Sequence, residues 1–185
     1  MKNDFIMPIA VLLIICIVIT GALAATNELT APVIAQAAEY RASAAMRELM
    51  PEATEFSAIE LTQKMLDNGI TELYDAKSNG EALGYIAVAA ADGFGGKGSI
   101  VVMVAVDLNH TIIDLRTLKN AETQGLGSRV SEPEFEKTFI GSNASFAAYE
   151  AISGATISSK AYFSAVDFAL QACSDVTISR GGYVS

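Results

Sequence analysis

Histidine occurs once in the 185 residues, cysteine twice and tryptophan not at all. The single histidine, His110, falls in a predicted turn and reads as exposed, and no Ser-His-Asp array is available to it. The two cysteines do not pair. Cys16 lies inside a long apolar run and Cys173 far from it, so they would sit in different phases and an internal disulfide is not expected. No CxxC and no paired Cys/His spacing is present, which argues against zinc or an iron–sulfur cluster held by this chain alone. The sequence also lacks GxSxG, a P-loop and GxGxxG, and no spacing of carboxylates points to an acid–base pair.

Positive charge is scarce. There are 12 basic and 21 acidic residues. Binding nucleic acid or anionic lipid headgroups relies on Lys and Arg neutralising phosphates. With no basic stripe and no interleaved aromatics, nucleic acid is excluded as a partner. The acidity reads as a device for solubility.

Charge of either sign is missing from Phe5 to Ala25, a run dominated by Ile, Val, Leu and Ala. Roughly 20 apolar residues are what a helix needs to cross a bilayer. A cleavable leader competes with this reading, since Ala22-Leu23-Ala24 has the small-x-small pattern. The length of the run and the thin charged start, Lys2 offset by Asp4, favour a retained anchor. Lys2 precedes the span and no further Lys or Arg occurs until Arg41. That bias places the start of the chain in the cytoplasm and the bulk outside. Either reading leads to the same compartment.

The rest of the chain falls into short elements. Val33 to Met50 favours helix and ends at Pro51, continuing the span outward as a stalk. Strand-like runs follow at Ile70–Ala76, Ala82–Ala90, Ile100–Val106 and Thr111–Leu118, the third (IVVMVAV) reading as buried on both faces. The turn Asp107–His110 between the last two implies an antiparallel meander. Glu132 to Phe139 reads as a short amphipathic helix with Pro133 at its start. A final helix from Ser158 or Ser159 to Cys173 would place Tyr162, Val166, Ala169, Leu170 and Cys173 on its core face. There is no internal repeat. The expected fold class is α+β: one N-terminal transmembrane helix, then an antiparallel sheet with flanking helices. The expected divisions are an anchor over 1–26, a stalk helix over 27–51 and a globular domain over 52–185.

Three separated segments stand out. Gly93-Phe94-Gly95-Gly96 allows close backbone approach, although alone it reads as a hairpin turn. Glu122-Thr123-Gln124-Gly125-Leu126-Gly127 sets a leucine between glycines, where it and bare backbone amides face a flat ring; a plain loop is the alternative. Ser153-Gly154-Ala155-Thr156 leads into the final helix. A helix start stabilises a phosphate through free N–H groups and its dipole. The plain alternative is a cap made by Ser158 or Ser159.

At these segments the sequence resembles the FMN-binding domain family of the membrane subunits RnfG and NqrC, with a layout closest to RnfG. The resemblance covers nearly the whole chain: the N-terminal span, the stalk with Pro51 after it, the GFGG turn, the ETxGLG loop and the SGAT segment. The family signature reads D-x-x-[ST]-G-A-T, and here it reads Glu150-Ala151-Ile152-Ser153-Gly154-Ala155-Thr156. The resemblance implies that Thr156 carries FMN through a phosphodiester to its hydroxyl, with Ser153, Gly154, Ala155, Glu122, Thr123, Gly125, Leu126 and Gly127 around the cofactor. There are two departures. Glu150 replaces the usual Asp, and the family loop H-x-E-T-P-G-L-G has Asn120 for its His and Gln124 for its Pro, which removes any histidine contact to the flavin.

The function implied is electron relay in an Rnf-type ferredoxin:NAD⁺ oxidoreductase coupled to Na⁺ or H⁺ transport. The flavin carries the chemistry and the chain has no stand-alone catalysis. Partners implied are the other subunits of the complex, a flavin-attaching transferase during maturation, and the membrane. Two alternatives stand beside it: an NqrC-type subunit or FMN-carrying donor to an extracytoplasmic reductase, and, from another class, a membrane-anchored binding or structural domain.

Overall fold

The computed structural model describes residues 3–143, 146 and 149–179. Lys2, used above for orientation, lies outside the described residues. The chain divides into two compact units, Met1–Ser43 and Ala44–Ser185.

Helix α1 runs over Asn3–Leu49. Within the first unit, Val11–Ala31 is long and apolar enough to cross a membrane, and none of it is buried inside the protein. The polar residues toward its end are accommodated locally. Thr26 Oγ1 donates to the Ala22 carbonyl and Thr30 Oγ1 to the Thr26 carbonyl, each at 2.8 Å. Back-bonding of this kind satisfies a hydroxyl without interrupting the helix.

The second unit is built on a five-stranded antiparallel sheet in the order β1-β2-β3-β4-β5. The strands are β1 (Glu55–Ala58), β2 (Ile70–Ser78), β3 (Glu81–Gly93), β4 (Gly96–Asp107) and β5 (Ile112–Asn120), with a short helix α2 (Gln63–Asp67) between β1 and β2. Every strand pairs with its neighbour in sequence, the meander that the Asp107–His110 turn implied. The β4–β5 turn closes through Asp107 Oδ1, which accepts from the amides of Asn109 and Thr111 at 2.8 Å. Such a side chain mimics a backbone turn.

Alternation sorts the sheet into two faces. Ala87, Ala89, Ala91, Ile100, Val102 and Val104 face the last helix, α4 (Thr156–Ser179), which packs mainly on β3 and β4. Small alanines on β3 let α4 come close, and Ala165, Val166 and Ala169 answer from the helix, all fully buried. Ile86, Val88, Met103 and Ala105 occupy the opposite face and are also buried. The end of α1 belongs to this side: Ala45, Met46 and Leu49 are buried, and Glu48 pairs with Arg116, which sits beside Met103 in the register. β4 is therefore covered on both faces, as its continuous apolar run predicted.

Beyond β5 the chain makes a 3₁₀ turn over Gly127–Ser131, helix α3 (Pro133–Glu136) and a second 3₁₀ turn over Lys137–Phe139. The continuous helix expected over Glu132–Phe139 is thus broken in two. Phe135 and Phe139 both turn inward, packing edge-on against Tyr162 and Phe146 at centroid distances of 5.4 and 4.9 Å.

Two further expectations are corrected. β1 and α2 were not anticipated. His110 is not exposed: it is half-buried at φ +60°, and its Nε2 lies 2.9 Å from Thr177 Oγ1 of α4, tying the β4–β5 turn to that helix.

Candidate functional site

The GFGG stretch is a hairpin turn. β3 ends at Gly93, β4 begins at Gly96, and these two pair across a loop of Phe94 and Gly95. The turn is held from below. Phe94 N–H donates to Glu122 Oε2 and Gly95 N–H to Glu122 Oε1, each at 3.0 Å, while Gly93 N–H donates to Ser99 Oγ at 2.9 Å. Phe94 itself is left 69% exposed.

Glu122 begins the loop after β5 and is only 6% exposed. Besides the two hairpin amides, it accepts from Ser158 Oγ of α4 at 2.5 Å. Burial acts to raise its pKa, but hydrogen bonds from Ser158, Ser99, Gly95 and Phe94 outweigh this and hold the carboxyl below its ordinary range. Hydrogen bonds to the charged form have this effect. Asn120 arranges the rest of the loop. Its Oδ1 accepts from Glu122 N–H at 3.0 Å and its Nδ2 donates to Ser131 Oγ at 2.9 Å and the Ser128 carbonyl at 3.2 Å.

The SGAT segment is a tight turn into α4. Ala155 N–H returns to the Ile152 carbonyl at 2.9 Å, and Gly154 takes φ +82° as the third residue of that turn. A positive φ there calls for glycine. α4 begins at Thr156, earlier than expected, and continues to Ser179 rather than stopping at Cys173. Neither Ser158 nor Ser159 caps it. Ser158 is committed to Glu122, and Ser159 Oγ accepts from Ile152 N–H at 3.0 Å. The residue in the capping place is Ala155, whose side chain has no acceptor, so the first helical N–H groups lack a side-chain cap.

These pieces enclose an open cleft of about 400 Å³, lined by Phe94, Thr123, Leu126, Gly127, Gly154, Ala155, Thr156, Ile157 and Ser158. Of the residues expected around a cofactor, Thr123, Leu126, Gly127, Gly154, Ala155 and Thr156 meet at this cleft. Glu122 lies behind its wall. Gly125 and Ser153 are exposed beside it and are not part of the lining. Thr156 is exposed, at the foot of the cleft, and Lys160 follows one helical turn later on the same face. Glu150 is exposed as well.

The cleft fits a flavin nucleotide in kind. It has an accessible hydroxyl at an uncapped helix start for a phosphate. It has an apolar rim of Phe94, Leu126 and Ile157, each at least half exposed, for a planar ring. Phe94, Ile157, Ser158 and Ser99 are not among the residues expected around a cofactor from the sequence. Phe94 had a signal, its place between glycines; the serines had none, because their roles depend on Glu122 reaching across the fold. A second cleft, of about 370 Å³, lies at the other end of the sheet around His110, Asp167 and Gln171. Among the described residues no group of His, Cys, Asp and Glu is arranged to hold a metal ion.

Comparison with known proteins agrees with this geometry. Residues 93–171 match the FMN-binding domain family, a span that opens at the hairpin turn and closes within α4. The chain is 29% identical to the G subunit of the proton-translocating ferredoxin:NAD(+) oxidoreductase complex of Clostridium ljungdahlii, over 92% of this chain and 91% of that one. It is 29% identical to the G subunit of the Na(+)-translocating complex of Acetobacterium woodii, over 87% of each chain. It is 30% identical to the G subunit of the ion-translocating oxidoreductase complex of Methanosarcina acetivorans, over 68% of this chain and 71% of that one. With the cleft and these relatives in agreement along the chain, it belongs to the RnfG family of ion-translocating oxidoreductase complexes.

Proposed function

We propose that this protein is the flavin-carrying electron-relay subunit of a membrane-bound ion-translocating ferredoxin:NAD⁺ oxidoreductase, with FMN joined by a phosphodiester to the hydroxyl of Thr156. The observation that carries the reading is the exposed Thr156 hydroxyl, set at the uncapped first residue of α4 inside a cleft walled by three distant segments. The first N–H groups of α4 would hold the phosphate and Lys160 would offset its charge. Thr123, Gly154 and Ala155 leave room beside it, and Phe94, Leu126 and Ile157 would flank the ring. FMN when bound supplies the electron chemistry; the chain's own residues hold it in place and limit its exposure to water. No proton-transfer residue is required of them.

The apolar segment of α1 anchors the protein, with the start of the chain in the cytoplasm and the flavin domain on the extracytoplasmic side, a sidedness supported by Lys2 before the span and the first following Arg at 41. A covalent link suits that location, since a cofactor lost outside the cytoplasm is not recovered. Partners are the other subunits of the complex and the transferase that attaches the flavin. The coupling ion, H⁺ or Na⁺, is set elsewhere in the complex, as relatives of equal similarity are named for each.

The test is intact mass and peptide mapping of protein from a host that has the flavin-attaching enzyme, with in-gel flavin fluorescence. The expected result is an FMN-sized addition on Thr156 that disappears in Thr156→Val. An unmodified mass from that host rejects the reading.

A further inference from the structure

Glu122 has its acceptor capacity filled from within the protein. A carboxylate offers about four lone-pair sites. Phe94 and Gly95 amides, the Ser158 hydroxyl and the Ser99 hydroxyl occupy them. Nothing remains for a ligand in the cleft. Yet the fold has made room for this side chain at some cost. A Cβ on Gly93 would stand 2.4 Å from Glu122 Oε1, and one on Gly127 would stand 2.7 Å from Glu122 Cβ and 2.5 Å from Ser158 Oγ. Two of the glycines in the singled-out segments are thus there to let Glu122 pass. The donors it gathers come from opposite sides of the cleft, the β3–β4 turn and the first turn of α4.

We propose that Glu122 is the positioning residue of the flavin site. Its carboxylate latches the β3–β4 turn to the start of α4, sets the separation of Phe94 from Thr156, and, as a fixed negative charge directly behind the Gly127 wall, makes a flavin held in the cleft harder to reduce. The second consequence is Coulombic: a buried anion opposes the arrival of electrons nearby more strongly than an exposed one. The proposal rests on the reading that Thr156 carries FMN. Neither neighbouring residue type substitutes. Glutamine would turn an NH₂ toward a backbone N–H, donor against donor, and aspartate is one methylene too short to bridge the same groups.

The experiment uses the full chain, FMN-loaded, with Glu122→Gln, Glu122→Asp and Ser158→Ala. Expected in Glu122→Gln are an unchanged FMN mass on Thr156, lower flavin fluorescence anisotropy, weaker visible circular dichroism and a more positive midpoint potential. Glu122→Asp, which keeps the charge, should restore the potential toward wild type while leaving the anisotropy low. Wild-type anisotropy and potential in Glu122→Gln would overturn the proposal. The latch is also read without flavin, in full chain from a host lacking the attaching enzyme. The Phe94 and Gly95 amides should exchange hydrogen roughly ten- to hundredfold faster in Glu122→Gln, while β4 amides keep their protection. Unchanged exchange at those two amides would overturn the latch. Absence of FMN from the wild type would reject the function proposed above and leave this measurement standing. If Glu122→Gln does not accumulate as folded protein, Ser158→Ala removes the helix side of the latch alone, and lower anisotropy with an intact FMN mass is then the expected result; wild-type anisotropy would overturn it.

Discussion

A Cβ placed on Gly95 would stand 2.3 Å from the carbonyl oxygen of Ala121, a backbone atom that cannot step aside. Gly95→Ala therefore forces the hairpin off the loop beneath it. It should destabilise the protein by about 1–3 kcal/mol in urea unfolding, the usual scale for overpacking. Glu122 gives this region a pH dependence whose sign is fixed. Burial alone would raise its pKa, but its hydrogen bonds prevail and the folded value lies below the ordinary 4.5. A depressed carboxyl stabilises the fold fully above the unfolded value and loses that contribution as pH falls through the folded one. Urea unfolding from pH 7 to pH 3 should show wild type more stable than Glu122→Gln at neutral pH, with the gap narrowing in acid. A gap that stays constant or widens in acid would contradict this.

The elements differ in how plainly they announce themselves. IVVMVAV and ALGYIAVAA could be read as strands because continuous burial demands unbroken apolar runs. β1 could not: its residues Glu55–Ala58 are only four, lie at the sheet edge and are mostly exposed, too short a run for its alternation to stand out. α4 was legible on its buried face but not at its start, since Ser158 and Ser159 have the composition of caps and spend their hydroxyls on Glu122 and Ile152 instead. The three segments of the cleft were legible as segments. What joined them was not, because Glu122 reaches a hairpin some 28 residues upstream and a serine 36 downstream. Asn120, standing where the resembling family has histidine, proves to organise the loop through backbone and serine contacts. One prediction belongs to α4 and its neighbours. Tyr162 is fully buried, and burial beside Glu136 pushes its pKa well up. Its hydroxyl lies 3.2 Å from Thr117 Oγ1 and 3.4 Å from Glu136 Oε1. Tyr162→Phe should cost about 0.5–1.5 kcal/mol by urea unfolding, since Thr117 still satisfies Glu136 when the phenol is gone.

At the scale of the molecule, the boundary between the two units falls inside a single helix. Ala45, Met46 and Leu49 are buried with the sheet, whereas the apolar stretch before them is bare. A fragment of residues 44–185 should therefore fold without the anchor, and show a cooperative thermal transition by circular dichroism. A fragment starting at residue 52 discards that buried turn along with the Glu48–Arg116 pair, and should melt at a clearly lower temperature. The strand order carries one more consequence. Each strand pairs only with the one made just before or after it, and the turns joining β2 to β3, β3 to β4 and β4 to β5 are short, so this part of the sheet closes early and at low entropic cost. The cleft is different, since its walls come from residues 94 to 158 and meet only when α4 docks. Thr156 thus meets the hairpin and the loop across from it only in a chain that has completed its folding, so the integrity of the cleft reports on the last step of folding rather than on formation of the sheet.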